Sequence, residues 1–343
     1  EMIVNWNAMS YLTAIKDYQG IMWSFVAAVV VAFLSACAMM ALGLPQVESL
    51  LAAVAFGYGV MMVWDVVLLH RYFPQSSESP WTFLAWLDRF LPLALTGLLT
   101  TLGLFSHLVI TWCGPLGVHV KGLFYGAPYY DVPALLAFLT ILITTVNFVV
   151  SVEVNFYPKY RAYYALLNDG GTVKDIVVAE REMLAVLNRE LFVTAAVISL
   201  EKMVLGVLPL GFNDGMHGYF RVLCVGYALY AVGNTVLMIL LYFTDYFGAV
   251  CCAAIFAGSA TVLTVISQFV PVTLMGFGFL LGASTFLLAA VVRLAVFTDN
   301  LPYRVLGAQP IVATEKRGWF TKLGEALDEF GERLHGTFGR KES

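Results

Sequence analysis

Long apolar segments constrain this chain more than any other feature. Eight runs of about 20 mostly apolar residues follow one another, at 21–43, 48–70, 91–113, 130–152, 190–211, 219–243, 247–270 and 274–297. As an α-helix, a run of this length crosses the hydrocarbon core of a bilayer with every backbone polar group paired internally. Hydrophobic residues make up 60% of the 343 residues and charged residues 12%, against about 25% charge in soluble domains. The sequence therefore predicts an all-α, polytopic helical membrane bundle of about eight transmembrane helices.

Lysine and arginine residues lie almost entirely on one side of the predicted spans. The segments 71–90 and 153–190 and the tail after 297 contain nearly all of them, whereas the opposite turns offer only Lys121 and Arg221. Cytoplasmic loops of membrane proteins are enriched in basic residues. We therefore expect both segments and the C-terminus to lie in the cytoplasm.

Two charged segments outside the predicted spans show helical periodicity. In loop 153–190, apolar residues recur every three or four positions after the turn at 168–171. We interpret this part as a helix at the inner mouth of the bundle, with docking of a partner as the alternative. In the tail, Phe320, Leu323 and Leu327 form one apolar face, which is typical of an amphipathic helix at the inner leaflet.

Polar side chains recur at helical spacing in five successive predicted spans, from the third to the seventh. One such stripe commonly serves helix packing, because small and hydroxyl residues let helices approach closely. Five stripes favour a shared hydrated cavity, since ionisable groups persist in hydrocarbon only beside water, partners or substrate. The predicted substrate or ion pathway consists of His107, Asn147, Glu201, Lys202, Tyr230 and Asn234.

Glu201 and Lys202 are the ionisable residues of this set nearest to mid-membrane. Adjacent helical residues point about 100° apart, so the two are not a simple mutual pair and each needs its own partner or water. We select Glu201 as the contact for a cationic sugar or for a coupling proton. Four charged residues closer to span ends are candidates for gating or interface positions: Asp65, Asp131, Glu153 and Arg221.

Sequence signatures of catalysis are missing. We find no phosphate-binding loop, no nucleotide fingerprint and no Ser-His-Asp arrangement, and the five cysteines have no metal-ligand spacing. We therefore expect a protein that is not an enzyme and that needs no metal, cofactor or nucleic acid. The lipid bilayer is its expected surrounding.

Three blocks of the sequence carry a resemblance to a known family. They are Asn5–Tyr18, the segment from Tyr130-Asp131-Val132-Pro133 through Glu153 and Tyr164 to Gly170-Gly171, and Gly276-Phe277-Gly278-Phe279. The chain resembles the PelG family, inner-membrane transporters of the Pel exopolysaccharide system. That family is part of the multidrug/oligosaccharidyl-lipid/polysaccharide flippase superfamily.

The resemblance implies a domain organisation. The family has twelve helices in two six-helix lobes, and the match implies that this chain lacks the first four helices. Residues 1–87 would then be a remnant of the N-terminal lobe with two transmembrane helices. Residues 88–300 would form the C-terminal six-helix lobe with its cytoplasmic loop 153–190, and 301–343 a cytoplasmic tail. The chain departs from the family at Ser106-His107, where the family has an Asp-Lys pair.

The resemblance also implies a function. The expected protein exports a Pel-like exopolysaccharide, or its lipid-linked form, across the bacterial cytoplasmic membrane by alternating access. Expected partners are a cytoplasmic glycosyltransferase and other Pel membrane components. One alternative is a cation-coupled exporter of drugs or lipid precursors from the same superfamily, which would require a buried acidic cluster. The other is a non-transporting membrane scaffold that anchors a glycosyltransferase through loop 153–190.

Overall fold

The structure, a computed structural model, describes residues 2–73, 79, 81–122, 124–205, 212–299, 301–308 and 318–338. Within these ranges it leaves out the side chains of 121, 142–144, 147, 149, 153, 198–205, 273, 305–308 and 331–338. The described part contains twelve α-helices and one short β-hairpin. The predicted all-α fold class is confirmed.

The chain divides into two compact units, Glu1–Thr82 and Phe83–Ser343. The first unit contains α1 (Met2–Ala14), α2 (Tyr18–Ala41) and α3 (Gln46–Tyr72). The helices α2 and α3 pack through small residues: a Cβ added at Gly57 would lie 2.7 Å from the carbonyl oxygen of Ala28 and 2.9 Å from the Cβ of Ala32. Glycine at this position therefore lets the two helix backbones approach closely.

The second unit contains the remaining elements. They are α4 (Leu84–Trp112), β1 (Val118–Lys121), β2 (Phe124–Gly126), α5 (Pro128–Ser151), α6 (Tyr157–Asn168), α7 (Val173–Leu205), α8 (Asp214–Tyr242), α9 (Tyr246–Ser267), α10 (Phe277–Thr298), α11 (Leu301–Ala308) and α12 (Trp319–Phe338). The centre of this unit is α8, because 61% of its most apolar window is buried, against 28–39% for α4, α9 and α10. Polar side chains on α8 therefore face protein on most sides.

Six helices among the described residues are long and apolar enough to cross a membrane: α2, α3, α4, α8, α9 and α10. They coincide with six of the eight predicted spans. The other two predicted spans correspond to α5 and to the end of α7, both of which include side chains outside the described set. The protein is therefore an integral membrane protein.

The helix α7 differs from the sequence expectation. It is one continuous helix of 33 residues and joins the predicted cytoplasmic helix to the predicted fifth span. The reason lies in the sequence, which has no glycine or proline between Val173 and Leu205 to end the helix. The loop predicted at 153–190 is thus helical over most of its length.

The predicted third span begins at a bend. Phe90 has non-helical dihedral angles (φ −116°, ψ 23°) inside α4, two residues before Pro92. A proline ring clashes with the carbonyl group four residues earlier, which breaks the regular ladder there. The segment Leu84–Arg89 is therefore a separate helical arm at the start of α4.

Two turns in different units have the same geometry. Lys16 (φ 62°) and Thr244 (φ 61°) are the non-glycine residues with positive φ among those described. Each precedes an aspartate, Asp17 or Asp245, that caps the next helix with nearly identical dihedral angles (φ −82°, ψ 64° and φ −80°, ψ 65°). Both carboxylates accept a hydrogen bond from the backbone N–H of the glycine three residues later. The shared sequence is Asp-Tyr-x-Gly.

The helix pairs that follow these turns also correspond. Gly57 on α3 contacts Ala32 on α2, and Gly282 on α10 contacts Ala260 on α9 in the same way, with Cβ clashes below 3 Å in both cases. Ala32 and Ala260 lie at the same distance in sequence from their capping aspartates. The α2–α3 pair and the α9–α10 pair are thus two copies of one local design, which was not predicted from the sequence.

Candidate functional site

A buried histidine joins four helices of the second unit. His107 on α4 is 0% exposed. Its Nδ1 lies 2.9 Å from the hydroxyl of Tyr130 on α5, and its Nε2 lies 3.2 Å from the hydroxyl of Tyr227 on α8. The ring of Phe279 on α10 packs 4.3 Å from the imidazole centroid. A neutral imidazole has one N–H, so one tyrosine donates to the ring and the other accepts from it.

The polar stripe predicted on α4 is buried, and its members Thr96, Thr100, Gly103, His107 and Thr111 share one face. The threonine hydroxyls donate to backbone carbonyls one turn earlier in the same helix, which satisfies them without a cavity. A Cβ on Gly103 would lie 2.4 Å from the ring of Phe256 on α9. Apart from His107, this stripe serves the packing of α4 against α9.

Tyr230 and Asn234, both predicted pathway residues, line one cavity of about 180 Å³ between α4, α5 and α8. Its other lining residues are Leu104, Phe138, Ile141, Thr145, Phe148, Ala231, Thr235 and Met238. His107 does not line this cavity but lies one helical turn from Leu104, which does. The ring of Tyr230 stacks on Phe256 at 5.4 Å, so its orientation is fixed by packing.

The predicted pathway residues Asn147, Glu201 and Lys202 lie in α5 and α7, and their side chains are outside the described set, as is that of Glu153. Whether they share the cavity with Tyr230 therefore stays a prediction. Arg221 on α8 is exposed.

Asp131 organises the entry to α5. Its carboxylate accepts hydrogen bonds from the indole N–H of Trp112 at 3.0 Å and from the backbone N–H of Ala127 at 2.8 Å. These contacts tie the end of α4 and the residue after β2 to the first turn of α5, where a carboxylate is favoured by the helix dipole. The contacts in the structure give Asp131 a positioning role.

A buried carboxylate on α7 was not among the predicted site residues. Glu190 is 5% exposed and accepts hydrogen bonds from Ser151 and from the side-chain amide of Asn155, the latter at 3.2 Å. Asn155 belongs to a π-helical turn, Val152–Phe156, which joins α5 to α6. Single π-turns within helices are frequent at functional sites. Glu190 was not predicted because it lies at the predicted border between loop and span. Its partner Asn155 was not predicted because hydrophobic periodicity does not reveal a π-turn.

Tyrosines fill the junction of α6 with α8. Tyr160 donates to the backbone carbonyl of Tyr242 at 3.0 Å, and its ring packs 4.4 Å from that of Tyr164. Burial, with a smaller contribution from the nearby charge of Glu180, raises the pKa of Tyr163 to about 12. Burial likewise raises the pKa of Glu180, with Arg181 acting in the opposite direction. This end of the unit is thus closed by neutral aromatic groups.

Among the residues that the structure describes, no group of three His, Cys, Asp or Glu side chains could hold a metal ion. The buried acidic side chains Asp65, Glu190 and Asp245 lie on α3, on α7 and at the start of α9. Glu190 and Asp245, both in the second unit, bind different partners, Asn155 and Arg293.

Six apolar spans define an all-α polytopic membrane protein, whose second unit holds a buried histidine cluster and a small cavity with both apolar and polar lining. Residues 1–306 match the PelG family, described as "Putative exopolysaccharide Exporter (EPS-E)". The chain therefore belongs to the PelG family, and the resemblance found in the sequence is confirmed. No curated protein and no solved structure matches the chain.

Proposed function

We propose that this protein moves an exopolysaccharide, or its lipid-linked form, outward across the bacterial cytoplasmic membrane. Membership of the PelG family supports export of an exopolysaccharide. The observation that carries the proposal is the cavity between α4, α5 and α8, where Tyr230, Asn234, Thr145 and Thr235 present aromatic, amide and hydroxyl groups. A sugar polymer requires this mixture, because it offers hydroxyl groups and apolar ring faces together.

Transport would proceed by alternating access, with the cavity opened to each side in turn. The His107 cluster is suited to a change of this kind, because α4, α5 and α8 meet there through two hydrogen bonds rather than through apolar packing alone. Glu201 remains our choice for contact with a cationic sugar or a coupling proton. Its Glu201→Gln variant should then block export without lowering the amount of protein in the membrane.

A cytoplasmic glycosyltransferase is the proposed partner, together with other membrane components of the export system. The surface available to it is formed by α6 and the first part of α7. Lys159 on α6 and Glu182 on α7 form an ion pair at 2.7 Å, and Val173 at the start of α7 is 78% exposed. On this proposal the C-terminus also lies in the cytoplasm, as the distribution of basic residues predicts.

The alternative of a cation-coupled drug exporter calls for a buried acidic cluster. The two buried acids among the described residues of the second unit, Glu190 and Asp245, bind different partners, Asn155 and Arg293. The scaffold alternative is distinguished from transport by whether the glycosyltransferase stays bound to the membrane. If the protein only anchors a glycosyltransferase, then variants that block secretion should also lose the enzyme from purified membranes. A transporter variant should keep the enzyme and still fail to secrete polymer.

The direct test replaces Asn234 by leucine in the complete export system of the host bacterium. Loss of one amide contact with a sugar should reduce secretion by about tenfold, while the amount of protein in the membrane stays constant. The matched control is Thr101→Leu, a similar change at an exposed position of α4. Normal secretion by Asn234→Leu, or an equal loss in Thr101→Leu, would contradict the assignment of the cavity.

A further inference from the structure

A second buried polar site lies in the first unit, whereas the cavity described above belongs to the second unit. Asp65 on α3 is 0% exposed, and Ser24 on α2 is also 0% exposed. Neither carboxyl oxygen of Asp65 has a hydrogen-bond partner of good geometry among the described residues. Ser24 and Asp65 are thus buried polar side chains on two helices that pack against each other. The pair lies between two apolar membrane helices.

The hydroxyl of Ser24 already donates its proton. It forms a hydrogen bond to the backbone carbonyl of Ile21 at 2.9 Å. A serine hydroxyl has one donor, so Ser24 offers Asp65 only an acceptor lone pair. With its proton directed to Ile21, Ser24 does not pair the Asp65 carboxyl group. An ionised carboxylate would stay unpaired in an apolar setting, which is strongly unfavourable.

Other titratable groups on the three packed helices lie elsewhere. Asp17 and Tyr72 bond to each other at 2.9 Å, and Tyr11 and His70 line a groove on a neighbouring face of α3. The remaining titratable side chains of α1–α3 and the turns between them are Lys16, Tyr18, Cys37, Glu48, Tyr58 and Arg71. Within the described residues, none of these groups forms a hydrogen bond with Asp65.

The repeated helix pair shows that packing at this position does not need a carboxyl group. Cys252 follows Asp245 by two turns, as Ser24 follows Asp17. Ala290 follows Gly282 by two turns, as Asp65 follows Gly57. Ala290 is 0% exposed and Cys252 is 3% exposed. The second copy of the design thus has an apolar pair where the first has serine and aspartic acid.

We propose that Asp65 is a proton-binding site that takes up and releases a proton during the export cycle, an inference that rests on the proposed transport function. In the closed arrangement of α2 and α3, the carboxylate has taken a proton from water and is an uncharged carboxyl group. Release returns this proton to water and leaves a carboxylate. The carboxylate is stable only where water reaches it, so release requires α2 and α3 to separate locally.

The protonation state can be measured without transport. Infrared spectra of the purified protein in lipid membranes at neutral pH should contain a carboxylic-acid carbonyl band that is missing in Asp65→Asn. The band should not change in the exposed control Asp169→Asn. Equal band intensity in the wild type and Asp65→Asn would overturn the proposal.

The role in export is tested with Asp65→Ala, which installs the residue that the second helix pair has at Ala290. The protein should reach wild-type amounts in the membrane, and polymer secretion should be lost. If Asp65→Ala does not accumulate, Asp65→Asn serves the same purpose, since its neutral amide has nearly the size of the acid. Wild-type secretion by the variant that accumulates would overturn the proposal. A missing infrared band refutes the proton site alone, whereas normal secretion by Asn234→Leu refutes the transport cavity.

Discussion

The side chains of Asp245 and Arg293 form an ion pair with two contacts, Nε to Oδ2 at 2.6 Å and a terminal guanidinium nitrogen to Oδ1 at 2.7 Å. The pair connects the cap of α9 to α10. Gly248 makes room for it, because a Cβ there would lie 2.3 Å from Nε of Arg293. In the first unit, the corresponding aspartate, Asp17, accepts a hydrogen bond from the hydroxyl of Tyr72 at 2.9 Å.

Replacing Arg293 by methionine should destabilise the protein. The carboxylate of Asp245, whose side chain is 6% exposed, would lose its charged partner, at a cost of about 2 kcal/mol. The melting temperature of the detergent-solubilised protein should fall. The comparison variant is Tyr72→Phe, whose hydrogen bond is exposed and should contribute little. Equal melting temperatures for Arg293→Met and the wild type would show that the ion pair is dispensable.

Replacement by alanine should have opposite effects on stability at glycines between paired helices and at exposed glycines. An alanine at Gly282 would place its Cβ 2.5 Å from the Cα of Ala260, so α9 and α10 must separate and the melting temperature should decrease. At Gly258 nothing lies within 4 Å of an added Cβ, so alanine there should stabilise the helix by up to about 1 kcal/mol. Gly57→Ala should behave like Gly282→Ala. Unchanged melting temperatures for both Gly282→Ala and Gly57→Ala would contradict the close approach of the paired helices.

The docking of α12 should depend on pH only in the acid range. Asp88 accepts hydrogen bonds from the backbone N–H groups of Gly318, Phe320 and Thr321 and from the Thr321 hydroxyl. Desolvation acts to raise the pKa of Asp88, but these bonds outweigh it and lower the pKa below its ordinary value of 3.8. Because its pKa is lowered, ionised Asp88 stabilises the docking of α12 at pH values above the ordinary pKa. This contribution is lost as the pH falls through the lowered pKa.

Asp88→Asn should therefore loosen α12 at neutral pH and remove the acid dependence. Hydrogen exchange of the amides at Gly318–Thr321 measures this directly, and exchange should be faster in the variant. Glu325→Gln, on the exposed polar face of α12, is the control and should leave exchange unchanged. Protected amides in Asp88→Asn would mean that apolar packing against α4 is sufficient.

His107→Leu should lower stability because two tyrosine hydroxyls would lose their partner inside the bundle. Each unsatisfied buried hydroxyl costs about 1–3 kcal/mol. Tyr227→Phe removes one of the two bonds and should have roughly half the effect. The melting temperature of the purified protein provides the measurement. A larger effect of Tyr227→Phe than of His107→Leu would show that the histidine is not the centre of the cluster.

The topology can be tested with single cysteines in a variant that lacks the five native ones. Asp169→Cys is better suited than Gly170→Cys, because Gly170 has a φ of 78° that other residues rarely adopt. A membrane-impermeant thiol reagent added to intact cells should not label Asp169→Cys, and labelling should appear after the cells are opened. Labelling in intact cells would reverse the proposed orientation.

Single-helix properties were predictable from the sequence. Apolar length predicted six of the spans that the structure shows, since exposure to lipid is a property of each segment by itself. The buried face of α4 with His107 followed from a period of 3.6 residues. The same reasoning placed the end of a predicted loop at 190 and so missed Glu190, because hydropathy does not show where a long helix leaves the membrane.

Contacts between helices were decided only by the tertiary structure. In a membrane protein, the lipid-facing and core-facing sides of a helix are both apolar, so periodicity alone does not reveal which neighbour a polar residue meets. Periodicity therefore did not indicate that Asn155 would bind Glu190 or that Asp88 would hold a helix more than 200 residues later. The repeated turn was hidden for a related reason: it shares only Asp-Tyr-x-Gly, and in the helices that follow many different small and apolar residues satisfy the same packing. Length and hydrophobicity thus determined that the chain spans a membrane, whereas the rotation and close approach of packed helices decided which polar groups became partners.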